Sequence, residues 1–160
     1  MARPALTHVD GGRVRMVDVG DKAESERVAV ADGVVRCSDA AVLDVLAEAS
    51  PKGDVLDTAR IAGIMAAKRT GELIPLCHPL ALDHIDVDCA ADATIPGVRV
   101  VATVRTHGRT GVEMEALTAV TVAALTVIDM LKSADRWMRS ESVQLRSKRG
   151  GRSGALQRPE

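Results

Sequence analysis

Between Ala116 and Ile128 the chain carries no charged residue, while Glu113 and Glu115 stand before that stretch and Asp129 and Lys132 after it. Leu117, Val120, Ala124, Ile128 and Leu131 repeat at helical spacing with further apolar residues between them, so Gly111 to Lys132 is predicted as a helix buried nearly all round. It is too short, and too rich in Thr and Ala, for a bilayer span of roughly 20 mainly apolar residues. Strict alternation marks the strands. Ile85, Val87 and Cys89 oppose His84, Asp86 and Asp88; after a turn at Pro96-Gly97, Val98, Val100, Ala102 and Val104 oppose Arg99, Thr103 and Arg105. Two such neighbours predict an antiparallel hairpin with one wet face. Val28 and Val30 predict a strand over Arg27 to Cys37 with a turn or bulge at Asp32-Gly33, and Val143 and Leu145 predict another over Ser142 to Lys148.

Two helices are expected between the first strand and the hairpin. Ser38 is placed to cap a short one whose Val42, Val45, Leu46 and Ala49 share a face, ended by Ser50-Pro51. Asp54 is placed to cap the second, with Asp57 three residues on and Gly71 as its stop after Thr70. Thr110 and Glu113 have the spacing of a capping box at the start of the apolar helix. Strand, helices, strand, strand, buried helix, strand is the order of an α+β fold, a ferredoxin-like split βαβ sandwich: an antiparallel sheet with helices on one face. The other sheet face lacks cover, which a second subunit would supply. Residues 1–160 read as a single domain, with a mobile arm over about 1–22 and a basic, glycine-rich tail over about 149–160.

A content of 46% hydrophobic and 27% charged residues excludes a mainly disordered chain. There is no Phe, no Tyr and one Trp, so stacking platforms for exposed bases are nearly absent, and a net charge of -1 gives no general attraction to nucleic acid or to an anionic membrane. Neither partner is expected. Cys37, Cys77 and Cys89 form no CxxC pair and are odd in number, which with no recognisable signal peptide suggests reduced thiols in a cytoplasmic protein. Cys77, His78, His84 and Cys89 match no familiar zinc spacing, and His84 and Cys89 belong on opposite faces of a strand, so neither a metal nor another cofactor is expected.

The chemistry-bearing residues cluster in four places. Lys52 precedes a helix N-terminus, where a phosphate is well held, although a solvated lysine fits the same pattern. Lys68 continues the apolar row Ile61, Ile64, Met65 and either snorkels or faces a polar cavity. Pro75 and Pro79 stiffen LIPLCHPL and immobilise His78, which suits acid–base work or a structural role. Glu113 is explained by capping, whereas Glu115 lies on another face and is not; Asp129 and Lys132 share a face as a functional or a surface pair. From Glu115 to Asp129 the helix rises roughly 21 Å, so a site using both ends must join two subunits. The tail RSKRGGRSG is either a loose end or a cover for a polyphosphate, and no GxxxxGK[ST] or GxGxxG cradle is present.

LIPLCHPL at Leu73 to Leu80, TGVEMEALTAV at Thr110 to Val120, IDMLK at Ile128 to Lys132, KGDVLDTARIAGIMAAKRT at Lys52 to Thr70 and the SKRGGRSG tail resemble the cyclic pyranopterin monophosphate synthase family, the MoaC-type proteins of molybdenum cofactor biosynthesis. The resemblance spans roughly Leu6 to Gly154, with Arg152 standing where members more often carry lysine. It implies a lyase that converts a 3′,8-cyclised dihydro-GTP into cyclic pyranopterin monophosphate and pyrophosphate, on a hexamer built as a trimer of dimers with interfacial sites. It further implies that Asp129 and Lys132 are catalytic, with Lys52, His78, Glu113 and Glu115 beside them. Substrate contacts would come from Leu76, Cys77, His78, Met114, Glu115 and Lys148, with Lys68 and Arg27 at phosphate or pocket positions. Two other classes compete: a nucleotide-binding regulatory module without turnover, and a zinc-dependent nucleotide hydrolase.

Overall fold

The computed structural model describes residues 8–40, 42–47 and 54–159. Gly11 and Gly12, at φ 55° and 80°, turn the chain between Val9–Asp10 (β1) and Arg13–Val14 (β2), a small antiparallel hairpin. The main sheet follows the alternation in the sequence: β3 (Ser25–Arg36), β4 (His84–Asp92), β5 (Gly97–Gly108), β6 (Arg139–Arg149) and a two-residue β7 (Leu156–Gln157). Their order is β4-β5-β3-β6-β7 with every neighbour antiparallel. The first four make the ferredoxin-like arrangement, to which β7 adds an edge strand.

The helices α1 (Val42–Ala47), α2 (Val55–Lys68), α3 (Thr70–Leu73) and α4 (Glu113–Leu131) complete an α+β fold. Val98, Val100, Ala102 and Val104 on β5 are fully buried with Val87 and Cys89 of β4, as their alternation requires, while His84 points out on the opposite face. On β3 the small residues Ala29, Ala31 and Gly33 face inward and Val28, Val30 and Val34 lie half-buried on the open face. The reason is the approach of α4: a Cβ at Gly33 would stand 2.8 Å from Val120 Cγ1 and 3.1 Å from Val143 Cγ2. The pairing of β3 with β6 shifts register between Asp32 and Val34, where the bulge was expected, and also between Val30 and Ala31, where it was not.

Five expectations need correcting. Helix α4 is not buried all round: Met114, Thr121, Leu125 and Asp129 form an exposed stripe, while Ala116, Val120, Ala123 and Val127 are sealed. Contrary to the expectation above, α4 is also long and apolar enough to cross a membrane, yet half of that stretch is buried within this fold. Ser38 does not cap the first helix; its hydroxyl and its backbone N–H both donate to Asp135, each at 2.6 Å, where the chain leaves α4. Asp54 does cap α2, accepting from the Asp57 N–H at 2.9 Å, but the helix breaks at Arg69 rather than at Gly71. Gly71 lies inside α3, where a Cβ would stand 3.2 Å from Pro79 Cα. The capping box at α4 is also absent: the N-cap is Val112 without a side-chain bond, and Glu113 turns elsewhere.

Candidate active site

The N-terminal end of α4 meets the start of β3 and the end of β6. Register places Lys148 opposite Ala29, so its side chain rises on the helix-bearing face of the sheet toward α4. There Lys148 Nζ donates to Glu113 Oε1 at 2.7 Å. Glu113 folds back over Gly111, where any side chain would collide with its carboxylate. Arg27 enters from β3, its Nε donating to the Gly108 carbonyl at 3.2 Å. Gly150 and Gly151, at φ 102° and 72°, lay the tail backbone against Glu26 and Arg27 so closely that a Cβ at either position would clash. Beyond them β7 pairs with Ser147 and Lys148, and the Arg158 N–H donates to the Arg146 carbonyl at 2.8 Å, so the tail folds back on β6.

These elements enclose a cleft of about 1110 Å³, bordered also by the loop carrying Asp18, Asp21 and Lys22 and by Arg109, Arg152 and Ser153. Arg109 ties that loop to the start of α4, with Nη1 donating to the Gly20 carbonyl at 3.0 Å and Nε standing 3.5 Å from Glu24 Oε1. Lys22, Arg27, Arg109, Lys148 and Arg152 are thus gathered around one space with Asp18, Asp21 and Glu113. Guanidinium and ammonium groups in this number neutralise a polyanion.

Glu115, in the first turn of α4, is 4% exposed. Burial, reinforced by the neighbouring charge of Glu113 and opposed by its own backbone N–H, pushes its carboxyl up to about 7. Such a group takes and gives a proton near neutrality. Cys77 is close enough to feel it: burial first, then the Glu115 charge, raises the Cys77 thiol. The prolines predict an extended segment over Leu76, Cys77 and His78, but it is not extended throughout: it opens in a turn at Pro75-Leu76 and is irregular from Cys77 onward. The Cys77 N–H donates to the Ile74 carbonyl at 3.0 Å, Thr106 Oγ1 to the Ala81 carbonyl at 2.6 Å, and the Asp83 N–H to the Arg105 carbonyl at 3.0 Å. Leu76, Cys77 and His78 are half-buried, and Met114 is exposed beside Glu113 on α4.

Arg27, Glu113 and Lys148 therefore converge on the cleft, and Cys77 and Glu115 are coupled close by. Asp129 and Lys132 do not join them. Lys132 Nζ donates to Asp129 Oδ1 at 2.6 Å, but the pair lies at the far end of α4, sixteen residues or roughly 24 Å from Glu113. Lys68 is exposed in the last turn of α2 and does not border the cleft, and Lys52 lies outside the described residues. Sequence reasoning passed over Arg109; its signal was a cation directly before Thr110-Gly111 at a helix start.

The family model described as MoaC family matches residues 16–151. The protein named cyclic pyranopterin monophosphate synthase in Methylobacterium nodulans is 57% identical over 152 residues, covering 94% of this chain and 95% of its own. Proteins of the same name in Novosphingobium aromaticivorans and Roseiflexus sp. are 58% and 59% identical over 150 residues, covering 93% of this chain in each case and 94% and 95% of their own. With the family's pattern running through both ends of α4, the pinned LCHPL segment and the glycine tail, the chain belongs to the MoaC family.

Proposed function

We propose that this protein is a cyclic pyranopterin monophosphate synthase of molybdenum cofactor biosynthesis, a lyase that converts (8S)-3′,8-cyclo-7,8-dihydroguanosine 5′-triphosphate into cyclic pyranopterin monophosphate with release of pyrophosphate. The observation that carries this reading is the gathering of five cations around one cleft at the end of α4, with the buried carboxyl of Glu115, pushed up to about 7, in the first turn of the same helix. A triphosphate that must expel pyrophosphate needs cations around the developing charge. Rebuilding a purine as a pterin needs groups that move protons on and off nitrogen and carbon. Lys148, Arg27, Arg152 and Lys52 serve the phosphates. Lys132, oriented by Asp129, is the acid–base centre, with His78, Glu113 and Glu115 assisting. Leu76, Cys77 and Met114 flank the heterocycle.

Because the acid–base pair and the cation cleft lie at opposite ends of one helix, a complete site takes one end from each of two copies. The reading is thus a homo-oligomer; the family resemblance further implies a hexamer assembled as a trimer of dimers, and the protein is read as a single catalytic domain over residues 1–160 working in the cytoplasm. Two features support association. Ile61, Met65, Leu73, Met114 and Leu125 leave an apolar helical surface in water, Leu125 being 55% exposed. On the open sheet face, the buried Asp32 Oδ1 has no hydrogen-bond partner among the described residues.

The test is incubation of purified protein with freshly prepared 3′,8-cyclo-dihydro-GTP, following pyrophosphate and the oxidised, fluorescent pterin. Product with one pyrophosphate per turnover is expected. Tight binding without product would replace the synthase by a regulatory nucleotide-binding module.

A further inference from the structure

Lys148 and Glu113 satisfy each other inside the cleft: their side chains are 25% and 26% exposed, and the ammonium lies 2.7 Å from the carboxylate. A phosphate drawn in by Arg27 and Lys148 would arrive beside that carboxylate, and two anions a few ångströms apart in a half-buried cleft repel strongly and are weakly screened by salt. We propose that Glu113 holds the anion position of Lys148 while the cleft is empty, and that a bound phosphate displaces it, so that Lys148 exchanges carboxylate for phosphate. The inference rests on the reading of the cleft as a phosphate site.

The exchange has a consequence for protons. Around Glu113 stand Lys148 from β6, Arg27 from β3, Asp18, Asp21 and Lys22 from the amino-terminal loop, Arg109, Arg152 from the tail, and Glu115 two residues on, itself facing Cys77. Once Lys148 is committed to phosphate, Glu113 has lost its cation and stands between the new anion and Glu115. A proton taken from solvent onto the buried Glu115 relieves that charge. Phosphate binding would thereby load a proton at the end of α4 before chemistry begins.

The probe is inorganic pyrophosphate, titrated calorimetrically into the full chain near pH 7. Relative to wild type, Glu113→Gln is expected to bind about threefold to tenfold more tightly, the gain from removing a half-buried competitor for one cation. In a Lys148→Gln background the same substitution should give little or no gain, because the partner contested is gone. Titration in buffers of different ionisation enthalpy should show wild type taking up more protons on binding than Glu113→Gln. Should Glu113→Gln fail to fold, Glu113→Ser carries the same expectations. Weaker or equal binding by the Gln variant would overturn the exchange and make Glu113 a positioning residue for Lys148. A gain undiminished in the Lys148→Gln background would reduce the effect to general repulsion. Failure of wild type itself to bind pyrophosphate would overturn the phosphate reading of the cleft, and the exchange with it.

Discussion

Lys132 and Asp129 meet at 2.6 Å with side chains 63% and 71% exposed. In water such a pair contributes only about 0.5 kcal/mol to folding, while positioned acid–base groups contribute roughly 10²–10⁴ to rate. Lys132→Ala and Asp129→Ala should therefore lower kcat at least about 100-fold and leave the urea midpoint almost unchanged. Near-native turnover in both would remove them from the chemistry. Glu115 behaves in the opposite sense. Its folded carboxyl titrates near 7 against an ordinary 4.5, so between those values the unfolded chain loses its proton first and the native state binds more. Stability then falls as pH rises through that window and is level above it. Glu115→Gln removes this dependence. The unfolding free energy of the variant minus that of wild type should grow by on the order of 3 kcal/mol from about pH 4.5 to above 7. A difference that stays flat in chemical denaturation across that range would mean that Glu115 is not held protonated by its surroundings.

At the scale of the element, Gly33 shows how α4 reaches the sheet. With Val120 Cγ1 and Val143 Cγ2 already 2.8 and 3.1 Å from the place of a Cβ, Gly33→Ala should cost about 1–3 kcal/mol, read as a lower urea midpoint at unchanged slope. A neutral result would show that α4 can back away at no cost. Strands and long helices were legible because burial imposes a period, as in Val98 to Val104, and Asp54 was legible because a cap needs only its own backbone. What failed were choices between local and distant partners. Ser38 has a cap's chemistry, but Asp135, 97 residues away in sequence, takes its hydroxyl. Glu113 has a capping-box spacing, but Lys148 on a distant strand takes its carboxylate. Gly71 reads as a helix stop, yet its lack of a side chain serves contact with Pro79. No local pattern ranks a partner that only the tertiary fold brings near. The same limit applies to the site. Motif and residue type pointed to Arg27, Glu113, Lys148 and Cys77, but not to Arg109, whose partners Gly20 and Glu24 come from a segment without periodicity.

At the scale of the whole molecule, the length of α4 decides the design. A rise of roughly 24 Å from Glu113 to Asp129 separates the cation cleft from the Asp129–Lys132 pair by more than one small substrate spans. If two copies lie antiparallel across a two-fold axis, the cleft of each faces the Asp129–Lys132 pair of the other, and every dimer holds two equivalent sites. Complementation tests this directly. Lys132→Ala and Lys148→Ala, each inactive alone, would be co-expressed under separate tags and the mixed species isolated. In a mixed dimer one site carries both lesions and the other carries none. Random pairing makes half the dimers mixed and leaves about a quarter of all sites intact, and since nearly every randomly assembled hexamer carries both tags, the doubly tagged fraction should recover about a quarter of wild-type turnover. If each copy assembled its site alone, no pairing of these two variants could create an intact one. The doubly tagged species would then remain as inactive as its parents, and the cleft and the Asp129–Lys132 pair would have to serve separate ends.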